Sequence, residues 1–293
     1  MENYTHNMGV FLAQDNVRIF YQYWQAPNPV GGVLISHGLG EHSGRYTNLM
    51  NKLSGCGVNF YALDHRGHGK SGGVRGHVDS FFNYTDDMKQ YLDTVVNEDN
   101  GQRPLIMLGH SMGGLIAGQY GLLYPEDIDG LILSAAALIP TVRVPAFKVS
   151  MGKLLSRLAP GTSLNNELDP RKLSSDPEVV KAYIADPLVH DRVSARWFTE
   201  YLNCSRDCLN RLPDIKLPLL VIHGTGDKMI STESSQQIYE QTNSEDKELE
   251  FFEGLFHETM NEAVPGRERV LDLLSDWILK RLQKGQDVTA GES

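Results

Sequence analysis

The stretch Pro104-Leu105-Ile106-Met107-Leu108-Gly109-His110-Ser111-Met112-Gly113-Gly114 decides the reading of the whole chain. An apolar run of strand length ends at Gly109, and a helical pattern begins near Gly114. Between them lies Gly-x-Ser-x-Gly with Ser111 at its centre. A serine on a sharp strand-to-helix turn needs glycine two residues to either side, because a Cβ there would strike neighbouring backbone. The competing reading is that Ser111 merely caps the helix, as serines commonly do. The rest of the sequence has to choose between them.

On both sides of that stretch short apolar runs alternate with longer helical ones. The runs are Val33 to Ser36, Val58 to Leu63, Leu131 to Ser134, Pro218 to Ile222 and Glu248 to Phe252. Each has the length of one strand, and their alternation with helices is the pattern of βαβ units and a parallel sheet. Met88, Tyr91, Leu92, Val95 and Val96 fall on one face of a connecting helix, closed by Gly101 and Pro104. Val270, Leu271, Leu274, Trp277, Ile278 and Leu282 give a last amphipathic helix, with a frayed tail expected from Gly285. Gly9 to Gln14 and Val17 to Trp24 form an N-terminal hairpin. The fold class is α/β, a mostly parallel central sheet flanked by helices, and the strand, serine turn and helix in succession make it the α/β-hydrolase fold. The alternation fails between Leu138 and Leu212, where a helical pattern is broken by six prolines. Residues 1–137 and 213–293 are expected to form the core and 138–212 a helical cap over the strand ends, where open sheets bind ligands.

A serine hydroxyl is a weak nucleophile near neutral pH and needs a base, itself oriented by an acid. In this fold the chain order is serine, acid, histidine. Asp227 follows Pro218-Leu219-Leu220-Val221-Ile222-His223-Gly224, and His257 follows Glu248-Leu249-Glu250-Phe251-Phe252 by a short loop. Taken singly, the aspartate reads as a helix cap and the histidine as a surface or core residue. Three residues in the required order, each just past a strand, outweigh those readings: Ser111, Asp227 and His257 are the expected catalytic set. His190 has no strand behind it, His223 suits a structural hydrogen bond, and His110 orders the serine turn. Charge developing on the carbonyl oxygen requires fixed donors. The fold supplies the amide after the nucleophile, Met112, and one from the loop His37-Gly38-Leu39-Gly40, where Leu39 is the expected donor.

Other chemistries fit less well. Gly69-Lys70-Ser71 ends like a phosphate-binding loop, yet Asp64 occupies the position of its first glycine and would repel phosphate. His42, His65 and His68 show no paired zinc-ligand spacing, so no metal is expected. Cys56, Cys204 and Cys208 fit neither a redox pair nor half a zinc site. With 27 Lys and Arg against 37 Asp and Glu, the formal charge of −10 disfavours nucleic acid. No secretory signal or membrane span is visible, and a soluble cytoplasmic protein is expected, with peripheral membrane contact through the cap left open.

Beyond the three catalytic positions, the chain resembles the monoacylglycerol lipases, a family also labelled lysophospholipases. The resemblance rests on His37-Gly38-Leu39-Gly40-Glu41-His42-Ser43-Gly44-Arg45-Tyr46, Asp64-His65-Arg66-Gly67-His68-Gly69-Lys70-Ser71, the serine turn, Ser175-Asp176-Pro177-Glu178, Ala185-Asp186-Pro187-Leu188 and His223-Gly224-Thr225-Gly226-Asp227. It implies hydrolysis of a small lipid ester, monoacylglycerol, to fatty acid and glycerol through an acyl-enzyme, with no cofactor. It also implies that Glu41, Arg45 and Tyr183 line the polar end where the glycerol group lies. Vertebrate members carry a histidine three residues after the catalytic one, where this chain has Met260. Lysophospholipase, general carboxylesterase, peptidase and non-catalytic binding protein on the same fold stay open as alternatives. The surplus apolar residues Leu138, Ile139, Val142, Val144, Phe147, Val149, Met151, Leu154, Leu155 and Leu158 read equally as cap core or acyl-chain channel.

Overall fold

The computed structural model describes residues 1, 3–141 and 146–289. Among the described residues eight strands form one sheet, in the spatial order β1 (Thr5–Leu12), β2 (Arg18–Gln25), β4 (Val58–Leu63), β3 (Gly31–Ser36), β5 (Leu105–His110), β6 (Gly130–Ser134), β9 (Leu219–Gly224) and β10 (Lys247–Phe252). In chain order, β1 (Thr5–Leu12), β2 (Arg18–Gln25) and β3 (Gly31–Ser36) precede α1 (Thr47–Lys52), β4 (Val58–Leu63), α2 (Phe82–Tyr91) and α3 (Asn97–Asn100). Next come β5 (Leu105–His110), α4 (Met112–Leu123) and β6 (Gly130–Ser134). After β6 the chain leaves the sheet for α5 (Ala146–Leu158), β7 (Ser163–Asn165), α6 (Pro177–Ala185), β8 (Arg192–Ser194) and α7 (Ala195–Arg211). It returns through β9 (Leu219–Gly224), α8 (Thr232–Gln241), β10 (Lys247–Phe252) and α9 (Gly266–Thr289).

The pairings of β2 with β1 and with β4 are antiparallel, and all others in this sheet are parallel. Strands β3, β4, β5, β6 and β9 are buried along their whole length, which is why they read as unbroken apolar runs. One sheet face packs against α2, α4 and α7 around Tyr84, Met88, Leu115 and Tyr120. The other packs against α1 and α9 through Leu49, Val270, Leu274, Trp277 and Ile278. All six residues named for the last amphipathic helix are buried there. That helix runs on to Thr289, past the point where fraying was expected, and residues 290–293 lie outside the described residues.

Three further departures have physical causes. Helix α4 begins at Met112 instead of near Gly114, because the serine turn leads into the helix at once. The Met88 to Val96 helix contains a π-helical turn, Leu92–Val96, between α2 and α3. The segment between β6 and β9 is not purely helical, since β7 and β8 pair antiparallel within it. It is tied to the loops of the sheet by the His190 amide on the Gly40 carbonyl (3.0 Å), by the Ser194 amide on the Gly76 carbonyl (2.8 Å) and by His42 Nε2–H on Asp186 (2.9 Å). Of the surplus apolar residues, Leu138 is buried, whereas Phe147, Met151, Leu154 and Leu158 face solvent. Val142 and Val144 lie outside the described residues.

Candidate active site

Ser111 stands where β5 turns into α4, at φ 55° and ψ −119°. A side chain in the left-handed half of the map costs about 1–3 kcal/mol and persists only where its surroundings dictate it. Here the backbone does so. The Ser111 amide donates to the Ser134 carbonyl at 2.9 Å, and its own carbonyl accepts from Gly114 (3.0 Å), Leu115 (3.2 Å) and Ala137 (2.9 Å). A Cβ on Gly113 would lie 2.0 Å from the Ser36 carbonyl oxygen, and one on Gly109 would lie 2.3 Å from that of Gly113. Glycine at both places therefore lets α4 settle on β3 and β5. The Ser111 side chain makes no capping bond to α4, which sets aside the capping reading.

The tight turn after β9 delivers Asp227, whose side chain is fully buried. Its Oδ2 accepts from His257 Nδ1–H at 2.6 Å and from His223 Nε2–H at 3.1 Å, while Oδ1 accepts the amides of Met229 (2.7 Å) and Ile230 (3.0 Å). Ser235 Oγ lies 2.7 Å from the other nitrogen of His223. His223 is thus the structural hydrogen-bonder that its place at a strand end suggested. A carboxylate only accepts, so the bond to Asp227 puts the His257 proton on Nδ1 and leaves the Nε2 lone pair free. Burial alone would raise the pKa of Asp227, but His257 and His223 hold it far below the carboxylate range. Burial pushes His257 down, yet the charge and hydrogen bond of Asp227, with the charges of Glu258 and Glu41, together hold the imidazole above its ordinary value.

Ser111 and His257 line one cavity of about 330 Å³, together with Gly38, Leu39, Glu41 and His110. Their own hydrogen bond is not closed in this structure; such contacts commonly tighten only when substrate arrives. The His110 ring lies 4.7 Å from that of His257, and its Nδ1 is 3.2 Å from Ser134 Oγ. Burial and the neighbouring imidazole push His110 down to about 3, so it stays neutral beside His257.

Above the cavity floor, the amides of Leu39 and Met112 donate to no protein acceptor among the described residues. The loop bearing Leu39 is clamped on both sides. His37 Nε2 accepts the His65 amide at 2.9 Å, so its Nδ1–H donates to the Gly38 carbonyl at 2.8 Å. The Gly38 amide donates to Glu41 Oε1 at 2.6 Å, and the Tyr46 hydroxyl donates to the same oxygen at 2.9 Å. Burial works against the charge of Glu41, but Arg45, His110, His37 and the Gly38 amide bring it down to about 2.

The three residues assigned to the glycerol end fall in different places. Glu41 and Tyr183 line the cavity. Arg45 stands behind it, gripping Glu258 with two nitrogens (2.6 and 2.8 Å) and stacking 4.6 Å from the centre of the Tyr183 ring. Met260 is packed in the core on the α9 side of the sheet and is not among the residues lining the cavity. Asp64, the carboxylate that interrupted the phosphate-loop pattern, accepts from the Ser43 amide (2.9 Å), the Ser43 hydroxyl (2.5 Å) and the Lys70 amide (2.7 Å), tying two loops together.

A profile of the family described as "Serine aminopeptidase, S33" matches residues 27–264. The monoacylglycerol lipase of Mycolicibacterium smegmatis is 37% identical, with 96% of this chain and 100% of that protein covered. The chain belongs to the monoacylglycerol lipase family. The monoglyceride lipase of Homo sapiens, another relative in this family, is 31% identical over 91% of this chain and 88% of its own. A crystal structure of Paleococcus ferrophilus monoacylglycerol lipase superposes with a TM-score of 0.80 at 32% identity, covering 94% of this chain and 99% of that one. Membership of the monoacylglycerol lipase family, with the observed sheet, bears out the α/β-hydrolase fold and makes the chain a serine ester hydrolase.

Two carboxylates escaped the sequence reading. Glu258 directly follows His257 and pairs with Arg45, and Glu262 lies a few residues further on, wholly buried. The only signal was two acids in a short loop beside an expected catalytic residue.

Proposed function

We propose that the protein hydrolyses monoacylglycerol to fatty acid and glycerol through an acyl-enzyme on Ser111, with residues 138–212 acting as a cap over the site. The observation that carries this reading is the His257 imidazole, held by Asp227 at the cavity that Ser111 also lines. His257 takes the serine proton as the hydroxyl attacks the ester carbonyl, then returns it to the departing glycerol oxygen. Asp227 keeps the tautomer and stabilises the imidazolium between the two transfers. The Leu39 and Met112 amides, the latter at the N-terminus of α4, stabilise the oxyanion. Water then attacks the acyl-enzyme by the same route in reverse.

The polar lining favours an uncharged alcohol over a phosphorylated one. Glu41, Asp169, Asp186, Asp191 and Glu258 line the cavity, with no lysine or arginine among the lining residues. A phosphate there would find carboxylates and no lining lysine or arginine to pair with. Relatives named as lipases support a lipid acyl group, and α5 supports delivery from a lipid surface. Phe147, Met151, Leu154 and Leu158 recur every three or four residues along it, each more than half exposed. No helix among the described residues is long and apolar enough to cross a membrane, so the contact read from α5 is a peripheral one.

A substrate panel tests the assignment. Monoolein should be turned over faster than lysophosphatidylcholine and short nitrophenyl esters, and the proposal fails if monoolein is the poorest of the three. A fluorophosphonate probe should label the wild type and not Ser111→Ala; equal absence of label in both would point to a binding protein. Sedimentation with phosphatidylcholine vesicles, lost in Phe147→Ser/Leu154→Ser, would support the α5 contact.

A further inference from the structure

The amides on either side of His257 are both engaged, and both lead to the cap. The Glu258 amide donates to the carbonyl of Leu173, in the cap, at 2.8 Å. The Phe256 amide donates to Oε1 of Glu262 at 2.6 Å. The other oxygen of that carboxylate faces the cap: Oε2 accepts from the Ser175 amide (3.0 Å), the Ser175 hydroxyl (2.5 Å) and the Ser174 hydroxyl (3.3 Å), as well as from the Ala263 amide (3.2 Å). Glu262 has no exposure to solvent. One buried group therefore holds the stretch before His257 with one oxygen and the cap with the other.

We propose that Glu262 is a positioning residue that, together with Leu173 to Ser175, makes the placement of His257 depend on the seating of the cap. This rests on the reading of His257 as the catalytic base. A wholly buried carboxylate is tolerable only while its donors are in place, since each donor removed leaves desolvated charge uncompensated. From the cap, the amide and hydroxyl of Ser175 both bond this carboxylate, while the single proton of the Ser174 hydroxyl is shared between Glu262 and the nearer Asn261 carbonyl (3.1 Å). Moving the cap away would strip these and, through Leu173, release the Glu258 amide as well. Cap and base loop are thereby tied to the same equilibrium, and the ester is attacked with the base in place only when the cap is seated.

This linkage differs from ordinary scaffolding in what it does to the base. His257 is faced by Asp227 from the turn after β9, by His110 from the end of β5, by Glu41 from the loop after β3, and by Glu258 on its own loop. Asp227, through its charge and its hydrogen bond, is the largest support against the desolvation that would otherwise lower the proton affinity of the imidazole, and Glu258 and Glu41 add to it. A His257 loop that drifts from Asp227 loses that support while remaining buried, so the acidic limb of kcat/KM moves to lower pH.

The test measures kcat, KM and the pH profile on monoolein for the full chain as Ser175→Ala and Glu262→Gln, with melting temperature alongside and Ser111→Ala as control. Ser175→Ala removes one hydroxyl donor and should lower kcat by about threefold to tenfold, with KM nearly unchanged and the acidic limb shifted down. Glu262→Gln should cost about 10²-fold in kcat. If it does not fold, Ser175→Ala decides alone. A lower melting temperature with wild-type kcat and an unmoved acidic limb would reduce these contacts to scaffolding and overturn the proposal, as would a change confined to KM. Activity retained in Ser111→Ala would instead overturn the reading of the site itself.

Discussion

Around Ser111 the chain is fixed by close backbone contact, with glycines at 109 and 113 letting a helix settle on two strands. Around His257 it is fixed by buried carboxylates, Asp227 and Glu262, and by the carbonyl of Leu173. The first arrangement brings Ser36 against Gly113 and is steric in origin; the second joins Leu173 to Glu258 and Ser175 to Glu262 through polar contacts. Steric placement tolerates no added atom but does not depend on charge. Polar placement tolerates small changes of shape but responds to the loss of any one donor or acceptor.

The contrast can be broken most directly at Ser111 and at Asp227, the acid that holds His257. If Ser111 is the nucleophile as proposed, Ser111→Ala should lower kcat on monoolein by about 10⁶-fold with the fold intact, since its hydroxyl makes no capping bond to α4. Asp227→Asn should cost about 10⁴-fold, because the amide can no longer enforce the Nδ1–H tautomer. Near-wild-type rates for either variant would remove that residue from the mechanism.

Gly113→Ala separates the two kinds of placement. Its methyl group would overlap the Ser36 carbonyl, so a loss of about 1–3 kcal/mol is expected, seen as a fall of roughly 2–4 °C in melting temperature for each kcal/mol. An unaltered melt would mean that the contact between α4 and β3 is looser than it stands here. The smallest of these effects is the pH profile. The His257 pKa is raised, so protonation removes the base as pH falls through that value, and the acidic limb of kcat/KM should lie above about 6.5, the ordinary imidazole value. A limb well below this in the wild type would mean that Asp227 does not support the imidazole as its 2.6 Å contact implies.

The same contrast explains what could be read from the sequence. Strands β3 to β6 and β9 were legible because burial on both faces demands unbroken apolar runs. Ser111 and Asp227 could be picked out because each follows such a strand, and His257 because it follows the part-exposed strand β10 at the same sheet edge. The hairpin of β7 and β8 was not, because Ser163-Leu164-Asn165 and Arg192-Val193-Ser194 are too short for a period and pair across an intervening helix. Nor were Glu258 and Glu262, whose partners Arg45 and Ser175 are set by tertiary encounter. Arg45 and Glu41 were identified by resemblance; that Glu41 also braces the loop carrying Leu39 became visible only from its 2.6 Å bond to the Gly38 amide.

The backbone angles at Ser111 make the proposed nucleophile a liability to the fold that hosts it. The chain there has torsions that glycine adopts freely, so Ser111→Gly should raise the thermal tolerance of the protein by about 1 kcal/mol while abolishing turnover. Selection for heat resistance alone, with no requirement for activity, would therefore be expected to discard the proposed nucleophile.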